Sequence, residues 1–393
     1  MKKMLWGRGG LAVLLFLSLA VACHTVEPEP EPEPTPEPET PVYSLKSLDE
    51  MSLREKVGQL FNIRPEALDL SSSYTQTAAS EALSEGFSRY PCGGITLYAA
   101  NIRTPDQIRA FTAFLHGLGN YPLLCIDEEG GRVARIANNS NFNVTKYSSM
   151  AAVGATGDPK KAYDAGDNIG DYLAFYGFDL DLAPVSDVNT NPENIVIGDR
   201  AFGSSPELVA DMASQFLLGL KHNKVEGCLK HFPGHGDTKA DTHYGYAESL
   251  KTWDELSGCE MIPFRKGIGS GARVIMSAHI CLPNVTGKSV PATLSPMIMQ
   301  DILRGELGYK GLIITDSMAM GAITQEYSPE VAAILAIEAG CDIVLDPADY
   351  PSAFEAVLSA VETGRISMDQ LNDRVDRILA LKRQILTDRG QLK

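Results

Sequence analysis

Eight short apolar runs recur between residues 58 and 345, each followed by a stretch whose apolar residues have helical spacing. The runs are 58–63, 94–98, 123–127, 179–184, 227–231, 273–278, 312–316 and 342–345. They are nearly continuous in apolar residues rather than alternating, the pattern of strands buried on both faces of a parallel sheet. The helical stretches lie near 75–88, 105–118, 159–176, 206–223, 253–270, 295–305, 329–339, 350–363 and 368–386. Parallel neighbours need a crossover connection, and eight strand–helix units in about 350 residues fit a closed ring better than an open sheet. The pattern predicts an α/β chain in which residues 43–393 form a single (β/α)8 TIM-type barrel.

The residues before that body read differently. Lys2, Lys3 and Arg8 precede an almost wholly apolar core of 12 residues, 11–22. A bilayer-spanning helix needs about 20 residues, so this core has the length of a signal-peptide h-region instead. It ends in Leu19-Ala20-Val21-Ala22-Cys23, which resembles a bacterial lipobox with Ala20 where Leu is usual. Residues 1–23 are expected to be a lipoprotein signal with Cys23 as the lipidated first residue; secretion without lipid is the alternative. Residues 24–42 hold six Glu and seven Pro, cannot bury apolar surface and favour polyproline II, so a disordered Glu-Pro linker is expected. The expected location is outside the cytoplasm, lipid-anchored to a bacterial membrane on its periplasmic or cell-surface side.

Composition narrows the partners. With 34 basic against 50 acidic residues the net charge is −16, and no basic run exists to neutralise phosphates, so nucleic acid is not an expected partner. No uninterrupted 18-residue apolar stretch marks a polytopic membrane protein. Export would permit disulfides. Yet Cys125, Cys228 and Cys341 sit in or beside strand-like runs, and no pair among Cys92, Cys125, Cys228, Cys259, Cys281 and Cys341 has C-x-x-C spacing. Mostly reduced, structural cysteines are expected.

Polar residues gather at one end of the runs. Asp127-Glu128-Glu129 closes the third, Asp187 follows the fourth, Lys230-His231 closes the fifth, His279 the sixth and Asp316 the seventh. In a barrel these ends share one mouth, where barrel enzymes place their chemistry. The bland reading is that they cap helices or solvate loops.

The segment from Lys230 to Asp237-Thr238, continuing to Asp241-Thr242-His243, holds three of the seven His within 13 residues. Pro233, Gly234 and Gly236 impose an irregular path. Two chemistries suit these residues. His231, His235, Asp237 and His243 could ligate a metal, although Pro and Gly between the first two undercut a helical ligand face. Alternatively Asp241 orients His243, whose imidazole shuttles a proton.

Lys230-His231-Phe232-Pro233-Gly234-His235-Gly236-Asp237-Thr238 with Asp241-x-His243 resembles glycoside hydrolase family 3, in its β-N-acetylglucosaminidase branch. Three further segments are similar to that branch in the same order: 127–135, 198–203 and 314–320. The resemblance, running from about 48 to 385, implies the barrel fold independently of the periodicity. It implies Asp316 as nucleophile and His243, paired with Asp241, as acid/base. It implies Asp127, Arg135, Arg200, Lys230 and His231 as residues holding the terminal sugar. Thr242 replaces a common Ser, and Glu128 a common Gln, which would add a charge near the sugar.

Retaining hydrolysis needs a carboxylate below the anomeric carbon and a proton donor at the leaving oxygen. An imidazole with an ordinary pKa near 6.5 suits both proton donation and later activation of water. The expected activity is exo-acting release of terminal β-linked GlcNAc from a cell-wall muropeptide or chitooligosaccharide, through a covalent glycosyl-aspartate. No metal or organic cofactor is expected, and the chain is expected to be a monomer. A family-3-like β-glucosidase or β-xylosidase is the rival, but such relatives usually carry the acid/base on a second domain, for which this chain leaves no room. An inactive sugar-binding lipoprotein is the rival outside enzymes. The Gly-rich loop bearing His243 is expected to close over substrate. Lys230 could instead simply pair with Asp127 or Asp187. Arg132 is expected to brace a loop, Asp187 to support the site, Met318 and Met320 to pack around the mouth, and His116 and His222 to be surface residues; His279 could be core or site lining.

Overall fold

The computed structural model describes residues 41–69, 71–72, 74–238 and 247–393. The expected signal, Cys23 and nearly all of the linker, together with Asp241, Thr242 and His243, lie outside the described residues. Eight parallel strands form the centre: β1 (Phe61–Ile63), β2 (Gly94–Leu97), β3 (Leu123–Ile126), β4 (Leu180–Asp181), β5 (Glu226–Phe232), β6 (Val274–Ser277), β7 (Leu312–Thr315) and β8 (Val344–Leu345). Their spatial order follows chain order, with β8 beside β1. A parallel bridge from Ile314 to Ile343 joins β7 to the start of β8 and closes the ring. Every residue of β1, β2, β3, β6 and β7 is buried, which is why these segments are mostly apolar, with the buried Asn62 and Thr96 bonded to each other.

Helices surround the ring, and their starts are written locally. Pro105–His116, Pro159–Phe175, Pro206–His222 and Pro329–Ala339 all begin with Pro, whose missing N–H costs nothing at that position. The residues ahead of them, Thr104, Asp158, Ser205 and Ser328, each accept a backbone N–H from the first turn, worth about 1 kcal/mol apiece. The first expected strand, 58–63, divides. Leu53–Gln59 is helical, started by a reciprocal Ser52–Glu55 capping box, and only Phe61–Ile63 is extended. The expected strand 179–184 shrinks to Leu180–Asp181; Pro184 has no N–H to continue the ladder. The expected helix 253–270 is two, Trp253–Ser257 and Met261–Gly269, broken after Gly258. The 75–88 stretch begins only at Glu81, after its Ser80 cap, and Met297–Glu306 is a π-helix.

Beneath the ring, opposite the strand ends that carry the site, Asp179 gathers His116 Nε2 (2.8 Å), Tyr121 Oη (2.9 Å), Arg389 Nη1 (2.6 Å) and the Leu124 N–H (2.8 Å). His116 is therefore not a surface residue: it is buried and stacked on Tyr121 at 4.4 Å between ring centroids. His222 does lie at the surface, against Asp167. All six cysteines from Cys92 to Cys341 are free, and all but Cys259 are buried. Among the described residues no helix is long and apolar enough to cross a membrane.

Candidate active site

Because the strands are parallel, the residues that follow them share one rim. Asp127 follows β3, Lys230 and His231 lie near the end of β5, and Asp316 follows β7. Together with Arg135 and Arg200 they line one cavity of about 350 Å³, at the small end of the range for ligand pockets. The structure thus brings together six of the eight residues singled out for catalysis and sugar binding; the other two are Asp241 and His243.

Two acids and three bases form one wall. Lys230 Nζ lies 2.8 Å from Asp127 Oδ1 and 2.6 Å from Glu129 Oε1. Arg135 Nη2 is 3.1 Å from Asp127 Oδ2, and Arg200 grips Glu129 with two bonds of 2.7 Å. Burial pushes both carboxyls up, but the neighbouring cations outweigh it and hold Asp127 and Glu129 below the ordinary carboxylate range. Burial likewise works against the Lys230 ammonium, and the two carboxylates more than compensate. The wall is a fixed array of charged donors and acceptors suited to a polyhydroxylated ligand. Lys230 pairs with Asp127 rather than Asp187.

Asp187 organises the loop after β5. It accepts His231 Nδ1 at 2.7 Å and the His235 N–H at 2.7 Å. This leaves His231 Nε2 toward Arg200, at 3.4 Å. Asn194 joins the loop to its neighbour by donating to the His235 carbonyl at 2.7 Å and accepting the Val196 and Ile197 N–H groups. Gly236 is required by packing, since a Cβ there would sit 1.9 Å from the Val188 carbonyl oxygen. Arg132 braces the same neighbouring loop, through Asp199 and the carbonyls of Ile195, Val196 and Ile197. Among the described residues no three His, Cys, Asp or Glu are disposed to hold a metal ion. His231 spends Nδ1 on Asp187 and His235 sets Nδ1 against Thr238.

The expectation that Glu128 adds charge near the sugar is corrected. Its carboxylate turns into the scaffold, accepting the N–H groups of Arg135, Ile136 and Ala137 and the Tyr172 hydroxyl. Burial there pushes its carboxyl above the ordinary range. His279 is buried and donates Nε2 to the Ser317 carbonyl at 3.0 Å, so it supports the site from behind.

The cavity also carries residues not singled out from the sequence. Arg64 follows β1, Tyr98 follows β2, and Ser317 follows Asp316; all three line the cavity. Asp346, following β8, binds Arg64 and Ser317. Arg64 and Asp346 stand directly after apolar runs, the same signal that pointed to Asp127 and Asp316.

The chain matches the glycosyl hydrolase family 3 N terminal domain over residues 52–381. It is 35% identical over 339 residues to beta-hexosaminidase A of Pseudoalteromonas piscicida, covering 79% of this chain and 56% of that protein. It is 36% identical over 287 residues to a beta-hexosaminidase of Nitrosomonas eutropha, covering 70% of this chain and 80% of that one. A family 3 beta-N-acetylglucosaminidase from Paenibacillus sp. str. FPU-7 superposes with a TM-score of 0.80 at 36% identity, over 86% of this chain and 63% of that structure. The chain thus spans little more than half the length of the first of these relatives. Barrel topology, a charged cavity at the strand ends and a family match across most of the barrel agree, and the chain belongs to glycosyl hydrolase family 3.

Proposed function

We propose that the protein is an exo-acting, retaining β-N-acetylglucosaminidase that removes terminal β-linked GlcNAc from a cell-wall muropeptide or chitooligosaccharide. The observation that carries this reading is the setting of Asp316. Its carboxylate opens into the cavity shared with the Asp127–Lys230–Glu129 array, and Oδ1 accepts the Ser317 N–H at 2.8 Å. The solved relative named a beta-N-acetylglucosaminidase supports GlcNAc as the sugar, and the beta-hexosaminidase names of the other two agree with it.

In this reading Asp127, Arg135, Arg200, Lys230 and His231 hold the hydroxyls of the terminal sugar. Asp316 attacks the anomeric carbon as the bond to the leaving oxygen breaks, and His243 gives that oxygen a proton. Water then attacks the same carbon, His243 takes its proton, and the Asp316 carboxylate departs. Asp241 orients the imidazole of His243. The enzyme works outside the cytoplasm as a monomer, tethered by lipid on Cys23 through the Glu-Pro linker.

Turnover of chromogenic β-GlcNAc, β-glucoside and β-xyloside tests the reading. It expects β-GlcNAc to be cleaved fastest and the activity to vanish in Asp316→Ala. Faster release of glucose or xylose would overturn the specificity, and no release from any of the three would overturn the activity.

A further inference from the structure

We propose that Asp346 is a positioning residue for Asp316, acting through Ser317 and itself held by Arg64. The inference rests on Asp316 being the attacking carboxylate.

Asp346 has φ +48°, one of three non-glycine residues with positive φ among the described residues. That conformation costs a residue with a Cβ roughly 1–2 kcal/mol. It is fixed by a backbone bond from the Asp346 N–H to the Asn62 carbonyl at 2.7 Å, tying the end of β8 to β1. The residue is 5% exposed. Arg64 meets it with two parallel bonds, Nε to Oδ1 at 2.8 Å and Nη2 to Oδ2 at 2.6 Å. The guanidinium is itself seated 4.5 Å from the centroid of the Tyr98 ring. A planar fork on a carboxylate fixes direction as well as distance.

What that fixed carboxylate does is hold Ser317, whose Oγ donates to Asp346 Oδ2 at 2.8 Å. The Ser317 carbonyl is held from the other side by His279 Nε2 at 3.0 Å. With side chain and carbonyl both held, the orientation of the Ser317 N–H is set. That N–H donates to Asp316 Oδ1 at 2.8 Å. Rotation of the Asp316 carboxylate is thereby restrained, and Oδ2 keeps one heading into the cavity. Attack is sensitive to such a restraint, because misplacing a reacting atom by about 1 Å can cost on the order of 100-fold in rate. Arg64 and Ser317, the two side-chain partners of Asp346 in this chain of contacts, both line the cavity.

The test is steady-state kinetics on chromogenic β-GlcNAc with the full chain, its Asp316→Ala control, and the variants Ser317→Ala, Ser317→Thr and Asp346→Asn. Product inhibition by GlcNAc and thermal unfolding are followed in parallel. Ser317→Ala and Asp346→Asn are expected to lower kcat roughly 10- to 100-fold. KM and the inhibition constant for GlcNAc stay within about threefold, and Ser317→Thr, which keeps the hydroxyl, recovers most of the rate. Unchanged kcat in both variants, or a loss confined to KM, overturns the positioning role while Asp316 stands. A wild-type chain that does not cleave β-GlcNAc, or an Asp316→Ala chain that still does, overturns the reading beneath it. Ser317→Ala deletes only a hydroxyl, so its result stands even where Asp346→Asn fails to fold.

Discussion

Glu128 and Glu129 are neighbours on one short strand, Glu128–Gly130, yet their carboxylates serve opposite faces of it. Glu129 joins Arg200 and Lys230 in the cavity, and Glu128 caps three backbone N–H groups in the scaffold. Alternation along a strand separates the two roles.

Substitution should separate them too. Glu129→Gln leaves Lys230 and Arg200 without a shared counter-charge in a buried wall. A charge-assisted hydrogen bond is worth about 1.5–3 kcal/mol, so KM for β-GlcNAc should rise roughly 10- to 100-fold. Glu128→Gln places an NH2 group against backbone donors, which should lower unfolding free energy by about 1–3 kcal/mol. It should leave KM within about twofold. Kinetics and urea unfolding on both variants check the contrast, and a KM effect from Glu128→Gln would contradict the scaffold assignment.

Lys382 gives the fold a pH dependence of its own. The side chain is fully buried on the helix Met368–Asp388, donating to Gln59 Oε1 at 2.7 Å and to the Asn120 carbonyl at 3.1 Å. Burial pushes its pKa from 10.5 down to about 7. Between those two values the unfolded chain binds a proton that the folded chain does not, so stability rises with pH through that window. The slope should approach about 1.4 kcal/mol per pH unit near the middle of the window. Comparing urea unfolding of the wild type with Lys382→Met from pH 6.5 to 9.5 should show this slope in the wild type and its loss in the variant.

The proposed lipid anchor on Cys23 is testable without activity. Palmitate labelling in a bacterial host should mark the wild-type chain and not Cys23→Ala, and the variant should leave the membrane fraction. Equal labelling of both would contradict the role of Cys23.

Much of the barrel was legible because parallel strands covered on both faces are mostly apolar, and Pro-led helices announce their starts. The ends of elements were less legible. Gln59 ends a helix and Phe61 opens a strand in what reads as one apolar run, since periodicity over so few residues cannot tell the two apart. The burial of His116 is not legible in the sequence, because its partner Asp179 is 63 residues away and only the closed ring brings them together. Asp127, Lys230, His231 and Asp316 were legible as polar residues ending apolar runs. Arg64 and Asp346 carried the same mark, but their importance comes from pairing across the β1–β8 seam, 282 residues apart in the chain.

The reaction proposed for Asp316 passes through a covalent bond to the sugar. Incubation with a 5-fluoro-β-GlcNAc fluoride, which slows release of the glycosyl group, followed by peptide mass spectrometry, tests it most directly. A single glycosyl adduct is expected on the peptide containing Asp316, absent from Asp316→Ala. Turnover without any trapped adduct, or an adduct on a different carboxylate such as Asp127 or Asp346, would contradict it.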